Sequence, residues 1–184
     1  MRYLPLFWPV ITVVCCASST NARTGDGHAA VVRGDFQAVK AFLDGSQHAV
    51  NDRDVDGRTL LNLAAKLGLR DIAVLLVERR ADVDMCDNEN YSPLHHAAAN
   101  GDLNLTRLLL ANKSKTVNDT TVSKHGGQVG GWTPLHLACM NGHAGVAAAL
   151  LECGANIEAR DGVQRTPLFL ASQSDSLQVA SLLI

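Results

Sequence analysis

A short phrase recurs along this chain of 184 residues at a nearly fixed interval, and it limits the fold more than any other feature. Its fullest form is Gly131-Trp132-Thr133-Pro134-Leu135-His136-Leu137-Ala138-Cys139-Met140-Asn141-Gly142-His143. Related forms are Thr59-Leu60-Leu61-Asn62-Leu63-Ala64-Ala65, Ser92-Pro93-Leu94-His95-His96-Ala97-Ala98 and Thr166-Pro167-Leu168-Phe169-Leu170-Ala171. Each predicts a short helix. A Ser or Thr hydroxyl caps its start, and proline suits the first helical position, where its missing N–H has no helical partner to lose. Gly68, Gly101 and Gly142 then close the helix from the left-handed region. The cap positions 59, 92, 133 and 166 are separated by 33, 41 and 33 residues, so the middle interval is one period with an insertion of 8. A period in this range signals stacked units, none of which buries its apolar side alone.

The chain resembles an ankyrin-repeat protein. The resemblance rests on the Thr-Pro-Leu-His phrase, the three closing glycines, second-helix runs such as Ile72-Ala73-Val74-Leu75-Leu76, the turn Gly154-Ala155-Asn156 and its relative Ala81-Asp82-Val83-Asp84. It covers 25–184 and implies an all-α solenoid of about five helix-turn-helix repeats with β-hairpin or turn fingers, the last repeat incomplete. The units are a degenerate N-terminal cap at 25–54, then 54–84, 87–112 with an insertion at 113–130, 131–160 and 161–184. In the cap, His28-Ala29-Ala30 stands in for the repeat phrase, and Phe36, Val39, Phe42 and Leu43 fall at helical spacing. In the fifth unit Gln164 replaces the turn glycine and Asp175 the helix-closing one, and the end at Ile184, among apolar Leu182 and Leu183, reads as truncation of a longer protein.

Residues 1–22 differ from the rest. Met1-Arg2 is followed by an apolar run from Tyr3 to Ala17 and then by small residues at Ala17-Ser18-Ser19 and Thr20-Asn21-Ala22, the three-part order of a secretory signal peptide. The run is shorter than the roughly 20 residues a spanning helix needs, and Pro5 and Pro9 interrupt it, so no stable membrane span is expected. Four glycosylation triplets begin at Asn90, Asn104, Asn112 and Asn118, against about 1.2 expected from 11 Asn and 20 Ser plus Thr. Asn104, Asn112 and Asn118 are the expected acceptors; Asn90 is the poorest, because Ser92 is committed to a helix cap. Secretion is therefore the expectation. The cysteines point the other way: Cys86, Cys139 and Cys153 remain after Cys15 and Cys16, an odd set at repeat positions that suits an intracellular protein.

His136, Cys139 and His143 sit at i, i+3 and i+7, which would suit metal ligands on a continuous helix, but Gly142 should end the helix first. His95 and His96 are adjacent and point to different faces. No phosphate-binding glycine loop occurs, and no catalytic constellation, metal site or cofactor site is expected. A net charge of −2 argues against a general nucleic-acid binder. The resemblance implies instead a monomeric, non-catalytic module that binds a protein partner through finger tips and a concave row of first helices. The candidate contacts are Arg53, Asp56 and Arg58 on the finger of the second repeat and Asn88, Glu89 and Tyr91 on that of the third. Trp132, Val163 and Arg165 belong to later fingers, and Lys66, Met140, Asn141 and Gln173 to the first helices. Tyr91 and Trp132 are the expected anchors. The alternative is the ankyrin part of a larger cytosolic signalling enzyme or scaffold.

Overall fold

A computed structural model describes residues 25–112, 114–122 and 130–184; the leader-like segment 1–22 lies outside the described residues. Ten helices form five pairs: α1 Gly25–Val32 with α2 Phe36–Gly45, α3 Leu60–Leu67 with α4 Arg70–Glu78, α5 Pro93–Asn100 with α6 Leu103–Ala111, α7 Pro134–Met140 with α8 Ala144–Glu152, and α9 Pro167–Gln173 with α10 Leu177–Leu182. First helices pack in the order α1, α3, α5, α7, α9, and second helices in the order α2, α4, α6, α8, α10. Helices this short do not persist alone in water, so their stability comes from contact between repeats. Leu60, Leu61, Leu94, Leu105, Leu109, Leu135 and Leu150 fill the space between the layers, while Ala64, Ala97, Ala98 and Ala138 let first helices approach closely.

The caps form as the sequence predicts. Thr59, Ser92, Thr133 and Thr166 each accept from the backbone N–H three residues on. Gly142 takes φ 73°, and the two residues standing in for glycine in the fifth repeat do the same, Gln164 at φ 68° and Asp175 at φ 51°. In the cap repeat Val39 and Leu43 are buried, with Phe36 and Phe42 packed against the core. A Cβ on Gly27 would lie 2.6 Å from the Phe42 ring, so the glycine within α1 admits that aromatic.

Of the two finger forms expected, hairpin or turn, the described residues show the turn: no strand occurs among them. In three fingers an aspartate does the folding, its Oδ1 accepting from two backbone N–H groups ahead of it: Asp54 from Asp56 and Arg58, Asp87 from Glu89 and Tyr91, Asp161 from Val163 and Arg165. These are Asx turns. In the fourth repeat Thr121 takes that place: its N–H donates to the Trp132 carbonyl and its Oγ1 accepts from Trp132 N–H. Thr121 and Trp132 are 11 positions apart where Asp54 and Arg58 are 4 apart, so seven of the eight inserted residues lie in the finger itself. The insertion expected across 113–130 therefore narrows, and 116–118 forms a short 3-10 turn in an ordinary connector.

Candidate protein-interaction face

Polar side chains of the repeat phrase are spent on joining repeats, along four ladders. In the first, His28 Nε2 meets the Arg58 carbonyl at 3.0 Å, Asn62 Nδ2 the Tyr91 carbonyl at 3.2 Å, His95 Nε2 the Trp132 carbonyl at 3.2 Å and His136 Nε2 the Arg165 carbonyl at 3.1 Å. The second runs backwards at the ends of the first helices: Asn100 donates to Ala65 and Lys66, Asn141 to Ala99, Ser174 to Cys139. A third joins the connectors, where Asn51, Asp84 and Asn118 accept from Asp82, Lys115 and Asn156 N–H. The fourth links finger tips backbone to backbone: Asn88 N–H to Asp56, Val122 N–H to Glu89, Gly162 N–H to Gly130. Each such bond contributes about 1 kcal/mol net, and a partner removed from a buried one costs more.

Set against these ladders, the candidate contacts divide. Arg53 donates to the carbonyls of Gly57 and Cys86 and so locks one finger to the next. Arg58 pairs with Asp54 and Asp56, and Arg165 with Asp161. Asn88 donates to Val55, and Asn141 belongs to the second ladder. Tyr91 is half-buried, stacked on His96 at 5.3 Å between centroids and edge-on to His95 at 5.8 Å. Trp132 has both backbone groups committed, and its indole Nε1 is buried without a partner. Glu89 lends its carbonyl to the tip ladder.

Lys66, Met140 and Gln173 are different. They occupy one register, seven residues after the caps Thr59, Thr133 and Thr166, with Ala99 as the matching residue after Ser92. Because α3, α5, α7 and α9 pack in order, the four side chains form a row. On the fingers Val163 is 52% exposed. Sequence reasoning missed Val55, at 78%, and Val122, at 52%: valines on turn tips, where no core position requires them. Their signal was a β-branched apolar residue directly after the turn-forming Asp54 or Thr121.

His95, His96, His136, Cys86 and Cys139 are held in unreactive states. His95 Nδ1 accepts from Ser92 N–H, and His136 Nδ1 from Thr133 N–H, so each ring carries its proton on Nε2 and donates to the next repeat. Burial pushes His95 down to about 4 and His96 down to about 3, and lowers His136. Burial likewise pushes the Cys139 thiol up to about 12, so it pairs with His136 as no nucleophile. Cys86 rises to about 11 through burial and the neighbouring Asp119, Asp87 and Asp84. His143 donates from Nε2 to the Ala99 carbonyl, and its ring lies where a Cβ on Gly101 would be, 2.6 Å from Nδ1. Among the described residues no group of three or more His, Cys, Asp or Glu is placed to hold a metal ion. Burial alone would raise the Asp161 carboxyl, but bonds from Arg165 and Val163 outweigh it and hold it below the usual range.

The glycosylation triplets also divide. Asn104 is exposed, although Thr106 of its triplet is buried. Asn112 is exposed and donates to the Leu108 carbonyl of its own helix. Asn118 has both amide atoms engaged across a repeat junction, Nδ2 to the Gly154 carbonyl and Oδ1 from Asn156 N–H, so a glycan there would break a ladder. Ser92 is fully buried and Asn90 Nδ2 donates to Thr120. Among the described residues no helix is long and apolar enough to cross a membrane.

Comparison with known proteins agrees with this geometry. The profile of the family described as "Ankyrin repeats (3 copies)" matches residues 28–121 and 119–184. Rabankyrin-5 of Mus musculus is 38% identical over 133 residues, covering 66% of this chain and 11% of the relative. The B-cell lymphoma 3 protein homolog of Mus musculus is 30% identical over 187 residues, covering 93% of this chain and 40% of the relative. Neurogenic locus notch homolog protein 1 of Danio rerio is 26% identical over 178 residues, covering 97% of this chain and 7% of the relative. The chain thus spans less than half the length of these curated relatives. With five stacked helix pairs, the capping phrase and the polar ladders between them, the chain belongs to the ankyrin-repeat family, whose repeats are protein–protein interaction modules.

Proposed function

We propose that this chain is a non-catalytic module that takes a protein partner on the face formed by its fingers and first helices, centred on Lys66, Met140, Gln173 and Val163. One observation carries the reading: a single register holds a cation, a methyl, a thioether and an amide at Lys66, Ala99, Met140 and Gln173, while neighbouring registers are consumed by ladders. Side chains that enter no ladder vary at little cost to the stack, although Met140 is partly packed against the core and the Lys66 and Ala99 carbonyls still serve the second ladder. The test is affinity capture with the full chain against a Lys66→Ala/Met140→Ala/Gln173→Ala version. Loss of the captured protein at unchanged unfolding midpoint supports the reading; undiminished capture contradicts it.

The same proposal places the protein in the secretory pathway, supported by the layout of residues 1–22 and by the exposed positions of Asn104 and Asn112. Expression in eukaryotic cells, followed by N-terminal sequencing and glycosidase treatment, is expected to show a shortened and shifted chain. A full-length, unshifted chain in the cytosol refutes it. The second reading, the ankyrin part of a larger cytosolic enzyme or scaffold, is favoured by the three unpaired thiols and by the greater length of the relatives. Sequencing the transcript past the codon for Ile184 decides it, since a stop there rules it out.

A further inference from the structure

His96 has no counterpart in the stack. At its register the second, fourth and fifth repeats carry Leu63, Leu137 and Leu170, all buried. His96 is 8% exposed, and among the described residues nothing hydrogen-bonds its buried Nε2. The ring is packed flat against Tyr91, and the nearest acid is Asp87, whose Oδ2 lies 3.9 Å away. Asp87 is not free to close that gap, because its Oδ1 holds the third finger through Glu89 and Tyr91 N–H. Next to it, His95 Nδ1 is an acceptor for Ser92 N–H while Nε2 gathers the carbonyls of Asp119 and Trp132. A proton on Nδ1 would set two donors against each other at a fully buried site.

We propose that the His95–His96 pair is an acid-triggered joint: the third finger and its contact with the fourth repeat stay closed only while both imidazoles are neutral, and acidification opens this junction ahead of the fourth repeat. The surrounding charges favour that order. Lys66 from α3 and Arg58 from the second finger oppose a charge on His96, as does His95 beside it. The third finger supplies Asp87 and the Tyr91 ring, and the connector offers His95 the backbone carbonyl of Asp119. The fourth repeat has the same capping histidine, His136, but Leu137 beside it.

The sign follows from the depressed native values, about 4 for His95 and about 3 for His96, against 6.5 for a free imidazole. Stability is complete above pH 6.5 and falls as pH drops below it, because the opened segment binds protons that the closed one refuses. Each such histidine raises the opening constant roughly 25-fold between pH 7 and pH 5, so the joint gains roughly 500-fold and a site with one histidine roughly 25-fold. Loss of the finger carries away Glu89 and Tyr91, so a partner bound there would be released in acid; only that consequence rests on the binding face proposed above.

The test is amide hydrogen exchange on the full chain without partner at pH 7 and pH 5, corrected for intrinsic rates, with the imidazole of His96 followed by NMR over the same range. The expectation is a roughly 500-fold rise in opening for amides of α5, against a smaller rise for α7, and a His96 ring still neutral at pH 5. In His96→Leu the α5 rise should fall to roughly 25-fold. Equal rises in both repeats, an unchanged rise in His96→Leu, or a His96 ring that titrates at pH 6 or above overturns the proposal. The NMR reading needs no variant and stands if His96→Leu fails to fold.

Discussion

The third and fourth repeats follow one plan and depart from each other in two ways. The third has a three-residue finger between Asp87 and Tyr91 and a histidine in a core register; the fourth has a ten-residue finger between Thr121 and Trp132 and a leucine there. The long finger costs the stack little, because Thr121 restores both bonds at its base and Gly130 still receives Gly162 N–H at its far side. The single histidine is the more disruptive change. It buries a polar nitrogen that nothing satisfies. In a ladder-built protein, added length at an edge costs less than an unmatched polar atom in a core register.

The comparison can be broken most decisively at the capping histidines. His95→Ala and His136→Ala are each expected to lose about 3 kcal/mol, because each ring ties its helix cap to carbonyls of the next repeat, Asp119 and Trp132 for His95, Ala159 and Arg165 for His136. Urea unfolding of the two variants reads the losses, and a loss under about 1 kcal/mol in either would contradict this shared role. A smaller effect separates crowding from backbone strain. Gly131 at φ 80° would set a Cβ 2.8 Å from Gly162 N, whereas Gly154 at φ 85° meets nothing within 4 Å. Gly131→Ala should then cost about 2–3 kcal/mol and Gly154→Ala about 1 kcal/mol. Next comes Asn118→Ala, which removes two junction bonds at an exposed site for about 1–2 kcal/mol. Smallest is Lys66→Ala, expected to shift stability by less than about 0.5 kcal/mol. A Lys66→Ala chain destabilised as much as Asn118→Ala would place Lys66 in the scaffold.

The helices, their caps and their closures were legible because each is set within a few residues of sequence. Thr133 caps, Pro134 starts and Gly142 ends α7 with no help from elsewhere. Even the stand-ins Gln164 and Asp175 were found from their places alone. What could not be read is what depends on the neighbouring repeat. Asn100, Asn141 and Ser174 look like ordinary polar residues near a helix end until the preceding repeat supplies their carbonyls. The same blindness hid that Arg53, Asn88 and Arg165 bond within the stack, and that the Trp132 backbone is engaged and its indole Nε1 buried. It also inflated the glycosylation signal: Asn90 and Ser92 are a turn residue at φ 61° and a helix cap, so the fold itself writes that triplet. His96 likewise shows its burial only once the stack is built around it.

The most direct test of the central claim, that function lies in the register whose side chains the ladders leave unused, is site-specific photo-crosslinking in cells. A photoreactive residue is placed in turn at Lys66, Met140 and Gln173, and at Arg107 on the exposed side of α6 as the opposing site. The claim requires one and the same protein adduct from the first three positions and none from Arg107. Adducts from Arg107 alone, or from all four positions alike, would contradict it.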